Sequence, residues 1–248
     1  MVLIDGEAGT PITKWDGDVS SLDWVSYDVT TLPYHVRQGS VGIIGVGGGR
    51  DVLSALWGRN APITGIEIND SLLRALKGPY RDFAGIAGRP DVELVHGEAR
   101  SYLSRTDKKF DVLQMSLIDT WAATGAGAFT LSENGLYTLE AWNVFLSTLK
   151  PGGVFSVSRW FAPTATSETS RLLALATATL LGRGVATPAD RIVMVARNTV
   201  ATLMVSETPF TDEDRRRIET LCEARGFRTL VAPWASQPDA FLSKIVAS

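Results

Sequence analysis

The sequence predicts an α/β fold: a mostly parallel sheet with an antiparallel C-terminal hairpin and helices on both faces. From residue 41 onward, short aliphatic runs alternate with amphipathic stretches, which is the pattern of βαβ units. A glycine turn, residues 45–49, separates the first aliphatic run from a helical stretch. We therefore predict a Rossmann-like domain over residues 41–248, preceded by an N-terminal arm or β-hairpin region over residues 1–40.

The aliphatic runs have the length of strands and are separated by turn residues. The last two runs before residue 206 are predicted to pair antiparallel, with the turn at Asn198, and a final run is predicted to lie at the sheet edge. The predicted strands are 41–46, 63–68, 92–95, 111–115, 154–158, 191–195, 201–205 and 228–231.

Capping residues and helical spacing of apolar side chains set the predicted helices. Asn69 is a good N-cap, Gly58 ends a helix, and the acids at 212–214 favour a helix start through the helix dipole. A long helix is predicted to end where Pro151 interrupts it. The predicted helices are 49–57, 70–76, 134–149, 167–181 and one from Thr211 to the residue before Gly226.

Composition excludes several classes of protein. The net charge is −3 and the chain has no basic stripe, so we expect no nucleic-acid partner. No apolar run is long enough to span a membrane, and the first residues lack the basic start of a signal peptide. The single cysteine, Cys222, favours a reducing, cytoplasmic compartment. With two histidines and one cysteine in the chain, we expect no metal site.

The glycine turn and two acids predict a site for an adenosine-type cofactor. Gly45, Gly47 and Gly49 let the backbone turn sharply beside a ligand, and the helix that follows offers free N–H groups. Glu67 ends the second predicted strand, at the position from which an acid accepts both ribose hydroxyls. Glu98 follows the third strand and is predicted to accept a hydrogen bond from adenine; the alternative is that it only caps the next helix.

The fourth predicted strand leads to Ser116 and Asp119, and a polar loop then runs to Tyr137. The carboxyl ends of strands line the ligand crevice in open α/β sheets, so Asp119 is the acid nearest to a reacting group. The loop contains glycines and is predicted to be a lid; the alternative is an ordinary long connection. A nicotinamide enzyme is a weaker hypothesis, because the glycine spacing differs from the dinucleotide fingerprint.

Several segments of residues 1–160 occur in the same order as the motifs of one known family. They are Leu3-Ile4-Asp5-Gly6, Tyr34-His35, the glycine turn, Glu67, Gly97-Glu98-Ala99, the strand from 110 followed by Asp119, and Leu136-Tyr137 leading to Lys150-Pro151-Gly152-Gly153. Together these segments resemble a divergent branch of the spermidine synthase (polyamine aminopropyltransferase) family. The resemblance implies a Rossmann-like class I methyltransferase fold. It also implies S-adenosylmethionine or decarboxylated S-adenosylmethionine as the cofactor, a small-molecule amine as the acceptor, a homodimer, and in some relatives a cytosolic domain of a larger membrane protein.

The same resemblance implies that an amine attacks the carbon beside a sulfonium, with Asp119 and Tyr137 as catalytic residues. The family has acids where this chain has Gly48 and Ser116. Asp51 and Asp119 each lie three positions further along and are candidates to compensate, and Asp51 and Ser116 join the predicted cofactor-binding residues. The missing acids keep two alternatives open: methyl transfer from S-adenosylmethionine, and a cofactor-binding domain without transferase activity.

Overall fold

The structure is a computed structural model that describes residues 2–4, 8–118, 135–163, 166–236 and 239–247. Its main feature is an eight-stranded sheet with the strand order β10-β8-β9-β7-β6-β3-β4-β5. A separate two-stranded antiparallel sheet is formed by β1 and β2. The strands are β1 (Val2–Ile4), β2 (Ala8–Thr10), β3 (Val41–Ile44), β4 (Ile63–Glu67), β5 (Val92–His96), β6 (Phe110–Ser116), β7 (Leu149–Trp160), β8 (Ile192–Arg197), β9 (Val200–Val205) and β10 (Arg228–Val231).

Helices cover both faces of the large sheet. Three short 3-10 helices, Val19–Tyr27, Val29–Thr31 and Pro188–Arg191, complete the described secondary structure. The α-helices are α1 (Leu32–Val36), α2 (Arg50–Trp57), α3 (Asp70–Lys77), α4 (Arg81–Ala84), α5 (Ala99–Leu103), α6 (Leu139–Ser147), α7 (Ser167–Gly182), α8 (Asp212–Arg225) and α9 (Ala240–Ala247).

The sheet has the predicted mixture of strand directions. Strands β3, β4, β5, β6 and β7 are parallel to their neighbours in this group, whereas β9 is antiparallel to both β7 and β8, and β10 is antiparallel to β8. Asn198 connects β8 to β9 with a φ of 51°, the left-handed conformation that asparagine tolerates in tight turns. The predicted fold class is therefore confirmed, including the hairpin and the edge strand.

Alternating side chains of the central strands supply two cores, one on each face. In β6, Leu113 belongs to the core that also contains residues of α5, α6, α7 and α9, whereas its neighbour Val112 belongs to the core that contains residues of α2 and α3 on the opposite face. A third cluster joins β8 and β9 to α1 and α8. Burial on both faces explains why the strands read as continuous aliphatic runs in the sequence.

Two predicted elements differ from the structure by several residues. The helix predicted at 134–149 is interrupted: residues 135–136 are helical, residues 137–138 form a bend, and α6 begins at Leu139, because the side chain of Thr138 accepts the Ala141 N–H and caps the helix there; residue 134 lies outside the described residues. The strand predicted at 154–158 begins at Leu149, since Leu149 already pairs with Phe110. The register then shifts before Val154 pairs with Val112, so the glycines at 152–153 form an irregularity within β7.

Residues 19–36 pack on the main domain through short elements. The 3-10 helix Val19–Tyr27 lies against α2, and α1 lies against α8. Arg37, after α1, forms an ion pair with the buried Asp214 of α8 and donates to the Gly152 carbonyl at 2.6 Å. The division between an arm over residues 1–40 and a domain over residues 41–248 stays a prediction.

Candidate functional site

The predicted cofactor residues lie at the point where the chain order of the sheet reverses. From β3 the chain proceeds to β4 on one side, whereas β6 pairs with β3 on the other side. The carboxyl ends of β3 and β6 therefore flank a crevice of the kind in which open α/β sheets bind ligands. The glycine turn follows β3, Ser116 ends β6, and Glu67 ends β4.

Left-handed backbone conformations shape the glycine turn. Gly45, Gly47 and Gly49 have φ values of 79°, 52° and 93°, which side chains other than glycine rarely adopt. A methyl group on Gly49 would also overlap Ile86, and one on Gly45 would approach Ile118. The three glycines predicted as cofactor contacts are thus required by the turn itself.

Glu67 ties the glycine turn to the end of β4. Its carboxylate accepts the Gly47 N–H at 2.9 Å through one oxygen and the Asn69 N–H at 2.8 Å through the other. Glu67 is only 6% exposed, so these two bonds lie in a poorly solvated environment. Each carboxylate oxygen keeps further acceptor capacity after one such bond, which a ribose hydroxyl can use.

The N-terminal arm lies directly on the glycine turn, a contact that the sequence did not predict. The Gly48 N–H donates to the side-chain oxygen of Thr10 at 2.8 Å, and a methyl group on Gly48 would overlap the carbonyl oxygen of Pro11. An acidic side chain at position 48 therefore has no room in this arrangement. The arm occupies the space beside Gly48 that the acidic side chain of the family would need.

We expect Gly48→Ala to destabilise the protein by about 1 to 3 kcal/mol, because the added methyl group forces the arm away from the turn. Gly97→Ala is the matched control, since a methyl group on Gly97 meets no atom within 4 Å. Urea unfolding of the two variants measures the difference. Equal stability of both variants would show that the arm does not press on the turn.

Glu98 caps helix α5, as the alternative interpretation proposed. Its two oxygens accept the N–H groups of Arg100 and Ser101, each at 2.8 Å. Burial alone would raise the pKa of Glu98, but the hydrogen bonds from Ser101 and Arg100 outweigh it and hold the pKa below its ordinary value. The adenine contact stays a prediction, and capping does not prevent it, since both oxygens retain acceptor capacity.

One exposed apolar side chain at the end of β4 was missed by the sequence analysis. Ile68 follows Glu67 directly and is 46% exposed, although it continues an aliphatic strand. The ring of His96 lies 3.2 Å from the Ile68 carbonyl oxygen and fixes this strand end. An exposed isoleucine next to a carboxylate suits a flat ligand that is apolar on its faces and polar at its edge.

A buried polar network extends from α1 to the end of β6. The Tyr34 hydroxyl donates to the side-chain oxygen of Gln114, and the Gln114 amide donates to the Thr30 carbonyl at 3.0 Å and to the Ser116 hydroxyl at 2.8 Å. The buried Asp51 lies in the first turn of α2, the helix that follows the glycine turn. The predicted residues Ser116 and Asp51 thus lie on β6 and on the helix that follows its neighbour β3.

Asp51 is 7% exposed, and its guanidinium neighbour Arg50 forms an ion pair with Asp28 instead. Burial raises the pKa of Asp51 to about 7, against the opposing effects of the Ser116 hydroxyl and of Arg50. A carboxyl that titrates near neutral pH in a ligand crevice is typical of functional sites.

Tyr137 lies at the carboxyl end of β7, in a cluster with Arg159 and Glu168. Arg159 donates to the Tyr137 hydroxyl at 2.9 Å, and its guanidinium lies 4.8 Å from the centre of the tyrosine ring. Two nitrogens of Arg159 also donate to one Glu168 oxygen, at 2.9 and 2.6 Å. Asp119, the other predicted catalytic residue, lies outside the described residues, as does most of the predicted lid.

Among the described residues, no group of three His, Cys, Asp or Glu side chains is arranged to hold a metal ion. In the same part of the chain, none of the helices combines the length and hydrophobicity that a bilayer crossing requires.

No protein-family model matches the sequence, and no curated protein matches it. Solved structures do resemble it. A probable spermidine synthase from Corynebacterium glutamicum aligns with a TM-score of 0.58 and 16% identity over 92% of this chain and 77% of that protein. Spermidine synthase from Thermotoga maritima aligns with a TM-score of 0.52 and 16% identity, over 79% of this chain and 62% of that protein.

The chain thus spans less than two thirds of the Thermotoga enzyme's length. Human methyltransferase-like protein 13, solved in complex with SAH, aligns with a TM-score of 0.51 and 13% identity over 83% of this chain and 89% of that protein. Identities this low establish the fold alone, and the chain accordingly has the Rossmann-like class I methyltransferase fold.

Proposed function

We propose that this chain is a transferase that binds a sulfonium nucleoside, S-adenosylmethionine or its decarboxylated form, and transfers an aminopropyl group to a small amine. The observation that supports it most is the bridge from Glu67 to the glycine turn at the reversal point of the sheet, with Glu67 accepting the Gly47 N–H. This bridge holds a carboxylate at the position from which it can accept ribose hydroxyls.

The remaining contacts are assigned from the same geometry. The ribose lies at Glu67, and the adenine lies against Ile68 with its amino group toward Glu98. The sulfonium then lies between the glycine turn and Ser116. This arrangement agrees with the structural similarity to spermidine synthases and to a methyltransferase bound to SAH.

Aminopropyl transfer needs a carboxyl group near the attacking amine, because an alkylammonium must lose a proton before nitrogen can attack carbon. Ser116 cannot act as this base at neutral pH, and we assign the role to Asp51 of α2, whose pKa is raised by burial to about 7. Tyr137, held by Arg159, borders the acceptor side from the end of β7.

Methyl transfer is the second candidate, and Gly48 is the observation that favours it. With Thr10 and Pro11 against Gly48, the glycine turn has no acid to bind the amino end of a decarboxylated cofactor. A cofactor that keeps its own carboxylate is then not repelled. A cofactor-binding domain without turnover is the third possibility.

Product analysis separates these candidates. The protein is incubated with each cofactor and putrescine as the probe amine. Methylthioadenosine formed only when both decarboxylated cofactor and putrescine are present is the expected result for aminopropyl transfer. S-adenosylhomocysteine formed from S-adenosylmethionine would indicate methyl transfer instead. Absence of both products, with cofactor bound, would contradict transferase activity on this amine.

A further inference from the structure

The backbone N–H groups of the glycine turn already have acceptors within the protein. The donors and their acceptors are Gly45 to Ile66, Gly47 to Glu67, Gly48 to Thr10 and Gly49 to Val46, at 2.8 to 2.9 Å. Each residue has only one backbone N–H, and a glycine has no side chain to add another donor or acceptor. The glycines of the turn therefore have no donor left with which to recognise a charged ligand.

The hydroxyl of Thr10, from the N-terminal arm, lies over the middle of this turn. Its oxygen is 3.1 Å from the position of a methyl group on Gly47 and 3.0 Å from the position of one on Gly48. Gly48 is buried, whereas Thr10 is only half-buried. After the hydroxyl oxygen has accepted the Gly48 N–H, it keeps one proton to donate and one further position at which to accept. Thr10 thus presents a donor and an acceptor, without charge, above the turn.

The order of the strands decides which part of the cofactor meets Thr10. Glu98 follows β5, Glu67 ends β4 and the glycine turn follows β3, and these three strands are adjacent in the sheet. With the adenine toward Glu98 and the ribose at Glu67, the remainder of the cofactor extends from the ribose toward the turn. Neighbouring strands are only about 4.8 Å apart, a distance that the short carbon chain on the sulfonium covers. The charged end of that chain therefore meets the turn where Thr10 lies over it.

We propose that Thr10 binds the charged end of the sulfonium cofactor and sets the preference between its two forms, and this inference rests on the proposed function. The hydroxyl accepts a hydrogen bond from the ammonium group that both cofactors carry. It can also donate to the carboxylate that only S-adenosylmethionine carries. Because the carbonyl oxygen of Pro11 leaves no room for a side chain at position 48, the arm and not the turn supplies this group.

A neutral hydroxyl at position 10 gives the crevice little preference between the two cofactors. A carboxylate there would attract the ammonium group of both cofactors, but it would repel the carboxylate of S-adenosylmethionine. The charge at position 10 therefore determines whether the two forms are discriminated. For the wild type, we expect the two dissociation constants to differ by less than about tenfold.

The test compares Thr10→Asp with Thr10→Asn by calorimetric titration of S-adenosylmethionine and its decarboxylated form. Both new side chains have an oxygen that can accept the Gly48 N–H, and they differ chiefly in charge. The ratio of the two dissociation constants should shift by about tenfold or more in favour of the decarboxylated form in Thr10→Asp, but not in Thr10→Asn. Thr106→Asp is the control for an added charge, since Thr106 also accepts a backbone N–H, from Lys108, and lies before the amino end of β6. Its ratio should equal that of the wild type.

The outcomes separate the role of Thr10 from the function on which it rests. Folded wild type that binds neither sulfonium cofactor overturns the proposed function and the role of Thr10 together. Cofactor binding with the same ratio in Thr10→Asp and Thr10→Asn overturns the role of Thr10 alone, as does an equal shift in Thr106→Asp. Thr10→Val keeps the shape of the side chain without the hydroxyl and should weaken both cofactors by about tenfold. Wild-type affinity in Thr10→Val would also contradict the proposal.

Discussion

Asp51→Asn should gain stability relative to the wild type as the pH rises, because only the wild type has a buried carboxyl at this position that resists ionisation. Burial raises the pKa of Asp51 to about 7 in the folded state from an unfolded value of 3.8. The folded state therefore holds a proton that the unfolded chain has lost between these two values. Stability due to this group is greatest below the unfolded pKa and falls as pH rises toward the folded pKa.

Each unit of difference between the folded and the unfolded pKa corresponds to about 1.36 kcal/mol of unfolding free energy. Between about pH 5 and pH 8, the wild type should lose about 3 kcal/mol of unfolding free energy relative to Asp51→Asn, whose amide does not titrate. Urea unfolding of both proteins at these pH values measures the difference. A stability difference that does not change with pH would mean that Asp51 is ionised throughout this range and that burial does not raise its pKa.

Glu67→Ala is expected to have the second large effect, because Glu67 contributes both to the turn and to the proposed ribose contact. Removing the carboxylate leaves the N–H groups of Gly47 and Asn69 without their acceptor. This should cost about 2 kcal/mol or more of unfolding free energy. Loss of the ribose contact should weaken cofactor binding by about tenfold or more.

Glu93→Ala is the control for the loss of one acidic side chain, since Glu93 is exposed on β5 and pairs with Lys108. Cofactor titration and urea unfolding are measured for both variants under conditions in which each is folded. Glu93→Ala should leave cofactor affinity unchanged. Unchanged affinity in Glu67→Ala would remove the ribose assignment, and unchanged stability would show that the bridge to the turn contributes little.

Much of the fold could be predicted because its signals are local in the sequence. The glycines of the turn, the Asn69 cap and the aliphatic runs each specify one conformation without help from distant residues. The place of Glu67 at the end of β4 could be predicted for the same reason, since it follows from one strand. The helix before β7 was predicted to be continuous, but the extended backbone and the cap at Thr138 interrupt it, which the helical spacing of apolar residues does not reveal.

The rest of the site depends on contacts between residues that are far apart in sequence. Thr10 reaches Gly48 only because the arm folds back over the turn. The sequence shows Asp51 and Ser116 on different elements, and only the parallel pairing of β3 with β6 places those elements side by side. A raised pKa depends on burial, which periodicity indicates for a helix face but not for a particular carboxyl.

The central claim is that the glycine turn binds a sulfonium nucleoside, and a calorimetric titration tests it most directly. S-adenosylmethionine, decarboxylated S-adenosylmethionine and methylthioadenosine are titrated into the protein, with NAD as the control. We expect both sulfonium cofactors to bind with a stoichiometry of about one and NAD not to bind detectably. Tighter binding of the decarboxylated form would support aminopropyl transfer. Folded protein that binds neither sulfonium cofactor, or that binds NAD instead, would contradict the account.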